Sequence, residues 1–418
     1  MTAPAAPRGG RSARLGALSH PHFRRFFLGY GLSLLGSAMV PVALSFAILR
    51  RGGTARDVSA VLAAEIVPLV LLLLVGGVAA DRLPRRRVLM AADLLRFASQ
   101  GIMAVLLFLP ALHLLPLMVL AALLGAGTAF YHPGRSGLLP ELVDAADLQG
   151  ANALMSLGDS GANLLGPILA GLLVQTAGAA WAIAIDSASY AIGAALLLGL
   201  PDGAVPASAP AGGTMLRDLR EGWREFTAHL WLWTVIVQVS LFFLLAFGPL
   251  QIFGPLLFAH APDGPARWGG LLSAQGAGAI AGGLLTLHWT PRHPIRATQY
   301  LFLLLALPML ALGLCPSYAG QLAGFLLGGL GLAAFSVLWH TTMQRIIPPE
   351  RLARVTAYDA FGCLCLLPAG YLCAAPMAGW IGQAPALIAG AAYIALSTGA
   401  ILLLRPVRML TLPRPPAD

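Results

Sequence analysis

Long apolar runs alternate with short polar segments along the whole chain. Twelve of these runs approach or exceed the roughly 20 residues that a helix needs to cross a bilayer core about 30 Å thick. In the first half they cover residues 24–49, 58–80, 88–109, 114–133, 153–176 and 179–200, and in the second half residues 231–258, 268–289, 297–314, 318–341, 355–378 and 383–404. The pattern predicts an all-α membrane protein with twelve transmembrane helices.

The composition excludes an ordinary soluble protein. Of the 418 residues, 58% are apolar and 10% are charged, and the mean hydropathy is +0.79, which lies outside the range of soluble globular domains. The net charge of +9 comes from 26 basic residues, all of them arginine. Because no long soluble segment remains to carry a basic surface, we expect no nucleic-acid partner.

The arginines predict the orientation of the helices. With the N-terminus in the cytoplasm, 21 arginines fall in cytoplasmic segments and only four, at positions 50, 51, 56 and 267, fall on the other side. Cytoplasmic loops of membrane proteins carry such an excess of basic residues. Both termini are therefore expected in the cytoplasm, and the remaining arginine, Arg96, lies inside the third run.

The two halves of the chain resemble each other. The fourth and tenth runs end in FYHPGRSGLLPEL and LWHTTMQRIIPPERL, which pair His132 with His340. Six runs separate the two copies, so they have the same orientation, as in parallel repeats of transporters. We therefore expect six-helix bundles in residues 1–200 and 231–418. Residues 201–230 are expected to form a cytoplasmic linker, whose end is either an interfacial helix or an extension of the seventh helix.

The turn after the second run carries a motif, GVAADRLPRRR. It resembles motif A of the major facilitator superfamily at Gly77, Asp81, Arg82, Arg86 and Arg87, while Pro84 replaces the second glycine of that motif. The resemblance implies a cytoplasmic gate, in which Gly77 allows close helix approach and Asp81 holds and releases a basic partner. Alternatively, the arginines only set the membrane orientation.

A second motif lies in the fifth run, GANLLGPILAG. Gly166, Pro167 and Gly171 resemble the antiporter motif of drug and proton exchangers. The alternative is plain packing of small residues between helices. The arginine that this family carries in its fourth span is not found in residues 114–133, and the nearest internal arginine is Arg96.

These motifs, together with the opening HPHFRRFFLGYGLSLLGSAM and the DSASY segment, resemble the bacterial branch of drug/proton antiporters that contains macrolide-efflux-type and enterobactin-type siderophore exporters. The resemblance implies proton-coupled export of a small, largely apolar compound across the bacterial inner membrane by alternating access. A proton-linked importer or a lipid flippase of the same fold remains the alternative. We expect the protein to function as a monomer, with the substrate, protons and the lipid bilayer as its partners.

A membrane-embedded enzyme is the remaining class. It would require a nucleophile, a base or metal ligands that converge near one face of the bilayer, and the sequence contains neither a Ser/His/Asp set nor metal-ligand spacing. We therefore expect no catalysis, no metal and no cofactor.

Charged residues inside the runs need a purpose, because each costs about 2.5–3.5 kcal/mol to insert at mid-bilayer. Glu65 has no basic residue within one turn and is the first candidate for proton carrier, unless it only lines the outer mouth in water. Asp93 and Arg96 share a helical face, so they either neutralise each other or bind a proton together. Asp159 is the second candidate, and Asp186 is a further one unless it ties helices together.

Five residues are candidates of another kind. His132 and His340 either titrate near physiological pH or form polar caps at helix ends. Phe242, Phe243 and Phe247 either line an apolar cavity or form a packed stripe. Asp359 is expected at the membrane interface.

Overall fold

The structure is a computed structural model that describes residues 16–111, 113–144, 146–201, 223–224, 226–287, 289 and 291–411, apart from the side chains of residues 74, 78, 80, 81, 349, 350, 353, 354 and 357. The secondary structure of this part of the chain is helical throughout. A helix satisfies its backbone hydrogen bonds within one segment, as a chain in hydrocarbon must. The predicted all-α fold is confirmed.

Six long helices form the first half. They are α1 (Pro21–Leu49), α2 (Ala55–Arg82), α3 (Arg85–Phe108), α4 (Leu114–Leu142), α5 (Leu148–Thr176) and α6 (Ala179–Leu198). Thr54 caps α2, because its side chain accepts a hydrogen bond from the Asp57 amide while the Asp57 carboxylate accepts one from the Thr54 amide. This capping box satisfies two amide groups that the helix itself leaves unpaired.

The second half is more interrupted. α7 (Leu230–Leu257) contains a π-helical segment, Phe243–Phe247, and α9 (Pro294–Leu314) contains a 3₁₀ turn at Leu304–Ala306. The others are α8 (Gly264–Thr286), α10 (Tyr318–Ile346), α11 in two parts (Pro349–Leu364 and Leu367–Ile381), α12 (Gln383–Leu403) and a short α13 (Arg405–Arg408). Each break ends two residues before a proline (Pro249, Pro308 or Pro368), and a proline removes a backbone donor from a helix.

Ten helices of the described chain are long and apolar enough to cross a membrane. They are α1, α3, α4, α5, α6, α7, α9, α10, α12 and the part of α11 from Tyr358 to Ile381. The other two predicted runs coincide with α2 and α8, of 28 and 23 residues. α2 packs along α4, and α8 packs along α10 and α5, so both lie among the ten.

The loops gather on two opposite faces of the bundle. On one face, which we call the N-terminal face, His20 contacts Asp147 of the α4–α5 loop, Arg25 donates to the Gly199 carbonyl, and Arg86 donates to the Leu197 carbonyl. On the opposite face, Arg50 donates to the carbonyls of Val174 and Pro262. Successive loops therefore alternate between the faces, as a chain that repeatedly crosses a layer requires.

The first six helices meet the last six along two seams. One seam joins α5 to α8, and the other joins α2 to the second part of α11. Glycines bring α5 and α8 together: a Cβ on Gly269 would lie 2.2 Å from the Pro167 carbonyl oxygen, and one on Gly171 would lie 2.4 Å from that of Pro265. These residues lie in the half of each helix nearer the opposite face. The first part of α11 packs instead on α7 and α10 of its own half.

Glycine pairs at equivalent positions in the two halves behave alike. A Cβ on Gly76 would lie 2.3 Å from the Ala129 carbonyl oxygen of α4, and one on Gly282 would lie 2.3 Å from the Leu330 carbonyl oxygen of α10. Their neighbours Gly77 and Gly283 have no atom of the described residues within 4 Å of that position. The prediction that Gly77 permits close helix approach is therefore wrong: the neighbouring Gly76 faces α4, because adjacent residues point about 100° apart on a helix.

Most of the linker lies outside the described residues. The described part includes a helical piece that ends before His229, where α7 is capped with extended backbone, so this piece is not an extension of α7. Phe226 of this piece is buried and stacks on Tyr358 of α11, with ring centroids 5.9 Å apart.

Candidate functional site

A cavity of about 200 Å³ lies within the first half, between helices α1 to α6. Its wall includes five charged or titratable side chains, those of Glu65, Arg96, His132, Arg135 and Asp159, with three tyrosines and two serines beside them. Leu34, Val40, Pro41 and Leu124 supply apolar wall. The cavity is therefore amphipathic, and it brings together three of the predicted proton-coupling candidates.

Arg96 lies at the centre of this site. It is buried, its guanidinium carbon lies 3.9 Å from the ring centroid of Tyr131 and 4.3 Å from that of Tyr190, and it forms an ion pair with buried Asp93 on its own helix. The predicted pairing of Asp93 with Arg96 is confirmed. Two aromatic faces and one carboxylate stabilise a guanidinium away from water.

Asp186 ties three helices together. Its carboxylate accepts a hydrogen bond from the Gln100 side chain of α3 (2.8 Å) and one from the Ser37 hydroxyl of α1 (3.5 Å). Ser37 also shares a hydrogen bond of 2.8 Å with the Tyr190 hydroxyl. The interpretation of Asp186 as a tie between helices is therefore supported, and the tie includes a tyrosine that faces Arg96.

Asp159 lies on the cavity wall, as predicted. It accepts a hydrogen bond from the Tyr30 hydroxyl (2.5 Å), and Arg135 lies 3.8 Å away. The Arg135 guanidinium also stacks over the Tyr30 ring at 4.7 Å. These contacts join α1, α4 and α5 on the side of the cavity nearer the N-terminal face.

Arg135 corrects one expectation. The fourth run was predicted to end at residue 133, which placed Arg135 in a loop and left the fourth span without an arginine. Instead α4 continues through Pro133 and Pro140 to Leu142, and Arg85 binds the Gly137 carbonyl and Glu141 in this extension. An arginine therefore does lie in the fourth helix, on the cavity wall.

Glu65 occupies the α2 side of the cavity. Its carboxylate forms no hydrogen bond or ion pair within the described residues. It lies within electrostatic range of Asp186 and Tyr190, and of Tyr371 in the second half. α4 approaches it closely, since a Cβ on Gly125 would lie 1.9 Å from the Glu65 carbonyl oxygen. Glu65 thus lines this cavity of the first half, and the alternative, that it only lines the outer mouth in water, is not supported.

The two histidines are not caps at helix ends. α4 and α10 extend ten and six residues past His132 and His340 respectively, so the predicted ends were too early. His132 lines the cavity. His340 is exposed on α10 and bonds Ser336 of the same helix.

The three phenylalanines of α7 pack together rather than line the described cavity. The rings of Phe243 and Phe247 meet edge to face with centroids 5.2 Å apart, and Phe242 is buried against Phe302 at 5.5 Å. Phe243 and Phe247 bound the π-helical segment, which adds one residue to a turn and redirects the side chains that follow. The packed-stripe interpretation is favoured.

The structure corrects the predicted position of Asp359. This residue was expected at the membrane interface, but it is buried within the second half, where the Trp339 indole donates a hydrogen bond of 3.1 Å to its carboxylate. Nearby, the Gln238 and Gln299 amides exchange two hydrogen bonds of 3.0 Å. A single sequence shows that these polar residues lie in apolar runs but not that they face a partner.

The motif after α2 anchors other helices. Arg86 donates to the carbonyls of Leu197 and Leu198 at the end of α6 (2.9 and 3.0 Å), and Arg82 and Arg87 are exposed. The Asp81 side chain lies outside the described residues. The carbonyls of Leu197 and Leu198 lie at the negative end of the α6 dipole, so an arginine there is stabilising.

The second motif lies at the α5–α8 seam and beside α1. A Cβ on Gly166 would lie 2.5 Å from the Ala38 side chain, while Gly171 approaches the Pro265 backbone. Pro167 cannot donate a backbone hydrogen bond, and the next amide, that of Ile168, donates to the Ser273 hydroxyl of α8 (3.1 Å). The small residues therefore do pack helices, and they do so where the two halves meet.

Among the residues that the structure describes, one group of side chains could ligate a metal ion. His20, Asp144 and Asp147 on the N-terminal face bring their ligand atoms within 4.8 Å of one another. Only partly buried and solvent-exposed residues take part, and His20 and Asp147 already contact each other at 3.0 Å.

Sequence reasoning missed the tyrosines of the site. Tyr30, Tyr131 and Tyr190 each place a ring or hydroxyl on a charged group. Their spacing of about 100 and 60 residues gives no local pattern. The available signal was that all three lie inside apolar runs, where a hydroxyl usually finds a partner.

An all-helical membrane bundle whose charged groups converge on an internal cavity is the architecture of a transporter. The fold is that of the major facilitator superfamily, as predicted. It superposes on the crystal structure of a bacterial homolog to the human lysosomal transporter Spinster, in an inward-facing and unoccupied conformation, with a TM-score of 0.72. The match covers 97% of this chain and 100% of that chain at 16% identity, which shows a shared fold alone.

The chain belongs to the transmembrane secretion effector family, whose model matches residues 12–412. It is 26% identical over 381 residues to the multidrug efflux pump Tap of Mycolicibacterium fortuitum, covering 88% of this chain and 90% of the pump. It is 28% identical over 348 residues to the enterobactin exporter EntS of Escherichia coli O1:K1 / APEC, covering 81% of this chain and 80% of the exporter. The protein is thus a multi-pass membrane transporter of small molecules and not an enzyme.

Proposed function

We propose that this transporter exports a small, largely apolar compound from a bacterial cell in exchange for protons. The observation that carries the proposal is the cavity of the first half, where the unpaired carboxylate of Glu65 and the guanidinium of Arg96 share one wall. Two named relatives, a multidrug efflux pump and an enterobactin exporter, support export over import.

The proposed topology has twelve spans, with the N-terminal face in the cytoplasm and the protein in the inner membrane. The arginine bias supports this orientation. The packing of α2 and α8 among the ten apolar helices supports counting them as spans. The seams α5–α8 and α2–α11, which are equivalent under exchange of the two halves, support two six-helix bundles, residues 1–200 and 231–418, joined by the linker 201–230.

Alternating access follows from where the halves touch. The glycine contacts of the α5–α8 seam run from the middle of both helices toward the opposite face, and the α2–α11 seam uses the second part of α11, the part nearer that face. Arg50 bridges to Pro262 on the same face. With the N-terminal face in the cytoplasm, the closed side is the outer one, and the cavity residues Tyr30, Arg135 and Asp159 lie toward the cytoplasm. This arrangement suits loading of cargo from the cell interior. Rocking of the two halves about the glycine-lined seams would then open the outer side.

Glu65 is the proposed proton carrier. Protonation removes its charge and hence its electrostatic interaction with Asp186 and Tyr190, whereas deprotonation restores that interaction. Asp93 pairs with Arg96 from the buried side and keeps the guanidinium in place between the tyrosines. A proton on Glu65 and a cargo group near Arg96 would compete for the same cavity. Because the cavity would then hold either the proton or the cargo, entry of one would require release of the other. Asp159 and Asp186 are proposed to support this site through Tyr30 and Tyr190.

The cavity sets limits on the cargo. Tyrosine rings and aliphatic side chains offer apolar contact, while Arg96, Arg135 and Glu65 offer hydrogen bonds. A drug, an antibiotic or a siderophore-like metabolite with an apolar body and at least one polar group would fit this wall. The motif after α2 is proposed to latch the cytoplasmic side, since Arg86 already holds the end of α6.

The direction of transport can be tested by comparing inverted membrane vesicles with intact cells. Energised inverted vesicles containing the protein should accumulate a transported dye or antibiotic, and vesicles with a dead variant, Arg96→Gln, should not. Accumulation by intact cells instead would refute export and support an importer. Movement of a labelled lipid between leaflets, without transport of soluble compounds, would support a flippase.

A further inference from the structure

A second cavity opens on the opposite face, away from the proposed transport site. It has a volume of about 280 Å³ and lies between the ends of α1, α3 and α5 and the start of α6. Arg50 and Arg51 are the charged residues that line it. Neither residue belongs to the proposed proton or cargo site.

The two arginines leave donor capacity unused. Arg50 donates to the Val174 carbonyl (3.4 Å) and the Pro262 carbonyl (3.2 Å). Arg51 donates one amino group to the Leu107 carbonyl, while its other amino group, Nη1, is buried without a partner in the described structure. A guanidinium nitrogen without an acceptor is costly to bury, so an acceptor from outside the chain would be stabilising here.

The nearby carboxylates are committed elsewhere. Asp57 accepts hydrogen bonds from the Thr54 amide (2.7 Å) and hydroxyl (2.9 Å) as part of the cap of α2. Asp263 pairs with Arg267 at 2.7 Å, and this hydrogen bond lowers the pKa of Asp263 below its ordinary value. Neither Arg50 nor Arg51 has a carboxylate partner within the described residues, so the cavity keeps its positive charge.

The start of α6 adds to this charge. The helix is 20 residues long, has no side-chain cap and no acidic residue in its first turn, and begins after Gly178, whose φ of +100° turns the chain sharply at the cavity wall. Ala179 and Ala180 of the first turn line the cavity. The amides at the start of a helix carry about half a positive charge and suit an anion such as phosphate.

The rest of the wall is apolar and reaches the lipid boundary. Phe46, Leu107 and Phe108 line the cavity beside the arginines. Phe108 and Trp181 are both about half exposed and meet edge to face with ring centroids 5.4 Å apart. Tryptophan exposed near a helix end is typical of the zone where lipid headgroups lie.

We propose that this cavity binds the headgroup phosphate of an anionic phospholipid, held by Arg50, Arg51 and the start of α6. Arginine forms charge-assisted hydrogen bonds with phosphate oxygens, and Arg51 Nη1 supplies a donor that has no other use. The exposed ring of Phe108 covers the first carbons of an acyl chain. A free phosphate ion would share the polar contacts but leave this apolar wall bare.

The binding experiment uses the purified full chain in detergent, with phosphatidylglycerol as the anionic probe and phosphatidylcholine as the zwitterionic one. Native mass spectrometry counts the lipid molecules retained at a fixed lipid concentration. The wild type should retain phosphatidylglycerol well above phosphatidylcholine. Arg51→Gln should lower retention of phosphatidylglycerol about tenfold, the effect of losing one charge-assisted contact. Arg56→Gln is the matched control and should bind as the wild type does, because Arg56 is an exposed arginine in the first turn of α2, outside the cavity.

A second pair of variants guards against misfolding, because Arg51 also bonds to Leu107. Ala177 is exposed on the rim of the cavity, so Ala177→Glu adds a negative charge and Ala177→Gln adds the same bulk without it. Only the glutamate variant should lose phosphatidylglycerol.

Three results would overturn the proposal. Equal retention of the two lipids by the wild type would exclude a phosphate-specific headgroup site. Unchanged binding in Arg51→Gln and Ala177→Glu would place the lipid elsewhere. Complete displacement of phosphatidylglycerol by millimolar inorganic phosphate would identify a free anion, and not a lipid, as the occupant.

Discussion

Charged residues within apolar helices are the features of this chain that a single sequence makes visible. Glu65, Asp93, Arg96 and Asp159 stand out because each interrupts an apolar run, and all four lie on or behind one cavity. Their partners were not visible in the same way. Tyr30 lies 129 positions from Asp159, and Gln100 lies 86 positions from Asp186, so only the packing of helices brings them together. The Asp93–Arg96 pair was predictable because residues three apart share a helical face.

The Asp93–Arg96 pair allows a prediction that separates charge neutralisation from function. Asp93→Asn should destabilise the protein by about 3–5 kcal/mol, because it leaves Arg96 buried without its carboxylate. The double variant Asp93→Asn/Arg96→Gln removes both charges and should regain most of the thermal stability in detergent. We expect it to transport nothing, because Arg96 faces the cavity.

Thermal unfolding and vesicle transport are measured on the same preparations, and together they distinguish charge neutralisation from a role in transport. Full transport by the stable double variant would show that the pair only neutralises charge. Asp57→Asn, outside the cavity, controls for loss of a carboxylate as such.

Helices and their contacts were partly predictable. All twelve predicted runs coincide with helices, because length and hydropathy suffice to locate them. The ends of the helices were harder to predict from the sequence. α4 and α10 run past the predicted ends. In α4 the extension is held by Arg85, which binds the Gly137 carbonyl and Glu141. The π-helical segment of α7 and the break in α11 each end two residues before a proline, but Pro41, Pro68 and Pro167 lie inside continuous helices. Prolines alone therefore do not locate the breaks.

Two adjacent glycines near the end of α2 allow a matched pair of substitutions. Gly76→Ala places a methyl group 2.3 Å from the Ala129 carbonyl oxygen, and overpacking of this kind costs about 1–3 kcal/mol. Gly77→Ala meets open space and should be neutral or stabilising by up to about 1 kcal/mol, since alanine favours helix. The midpoint of thermal unfolding in detergent should fall for the first variant and not for the second. The reverse order would mean that Gly77 faces α4, as motif resemblance suggested.

The α5–α8 seam predicts a different response. Gly269→Ala places a methyl group 2.2 Å from the Pro167 carbonyl oxygen, but this contact joins the two halves and is not part of the interior of either. The variant should therefore shift the protein away from the state closed at the opposite face, with reduced transport and only a small loss of thermal stability. Gly283→Ala, with open space around it on the same helix, is the control. A large loss of stability without a change in transport would place Gly269 within a rigid interior.

For the whole molecule, the fold class and the family were predictable, because the sequence contains an internal repeat and a motif that resembles motif A of the major facilitator superfamily. The cargo was not, since the cavity wall consists of common residue types. The number of spans and the side on which the termini lie rest on the arginine distribution and on helix packing.

Reporter fusions test that topology directly. A fluorescent reporter that matures only in the cytoplasm should be active when fused after Asp418, and a periplasmic phosphatase should be active when inserted at Gly52–Gly53 of the α1–α2 loop. Both results follow from an N-terminal face in the cytoplasm and an even number of spans. Phosphatase activity at the C-terminal fusion would contradict the twelve-span count or its orientation.

Export is proposed to be coupled to protons through Glu65. The most direct measurement is proton release from acid-loaded inverted vesicles on addition of cargo, screened over a panel of drugs, antibiotics and siderophore-like compounds. The wild type should release protons in response to at least one compound, Asp57→Asn should respond equally, and Glu65→Gln should still bind that compound but release no protons. Undiminished proton release by Glu65→Gln would show that Glu65 does not carry the exchanged proton.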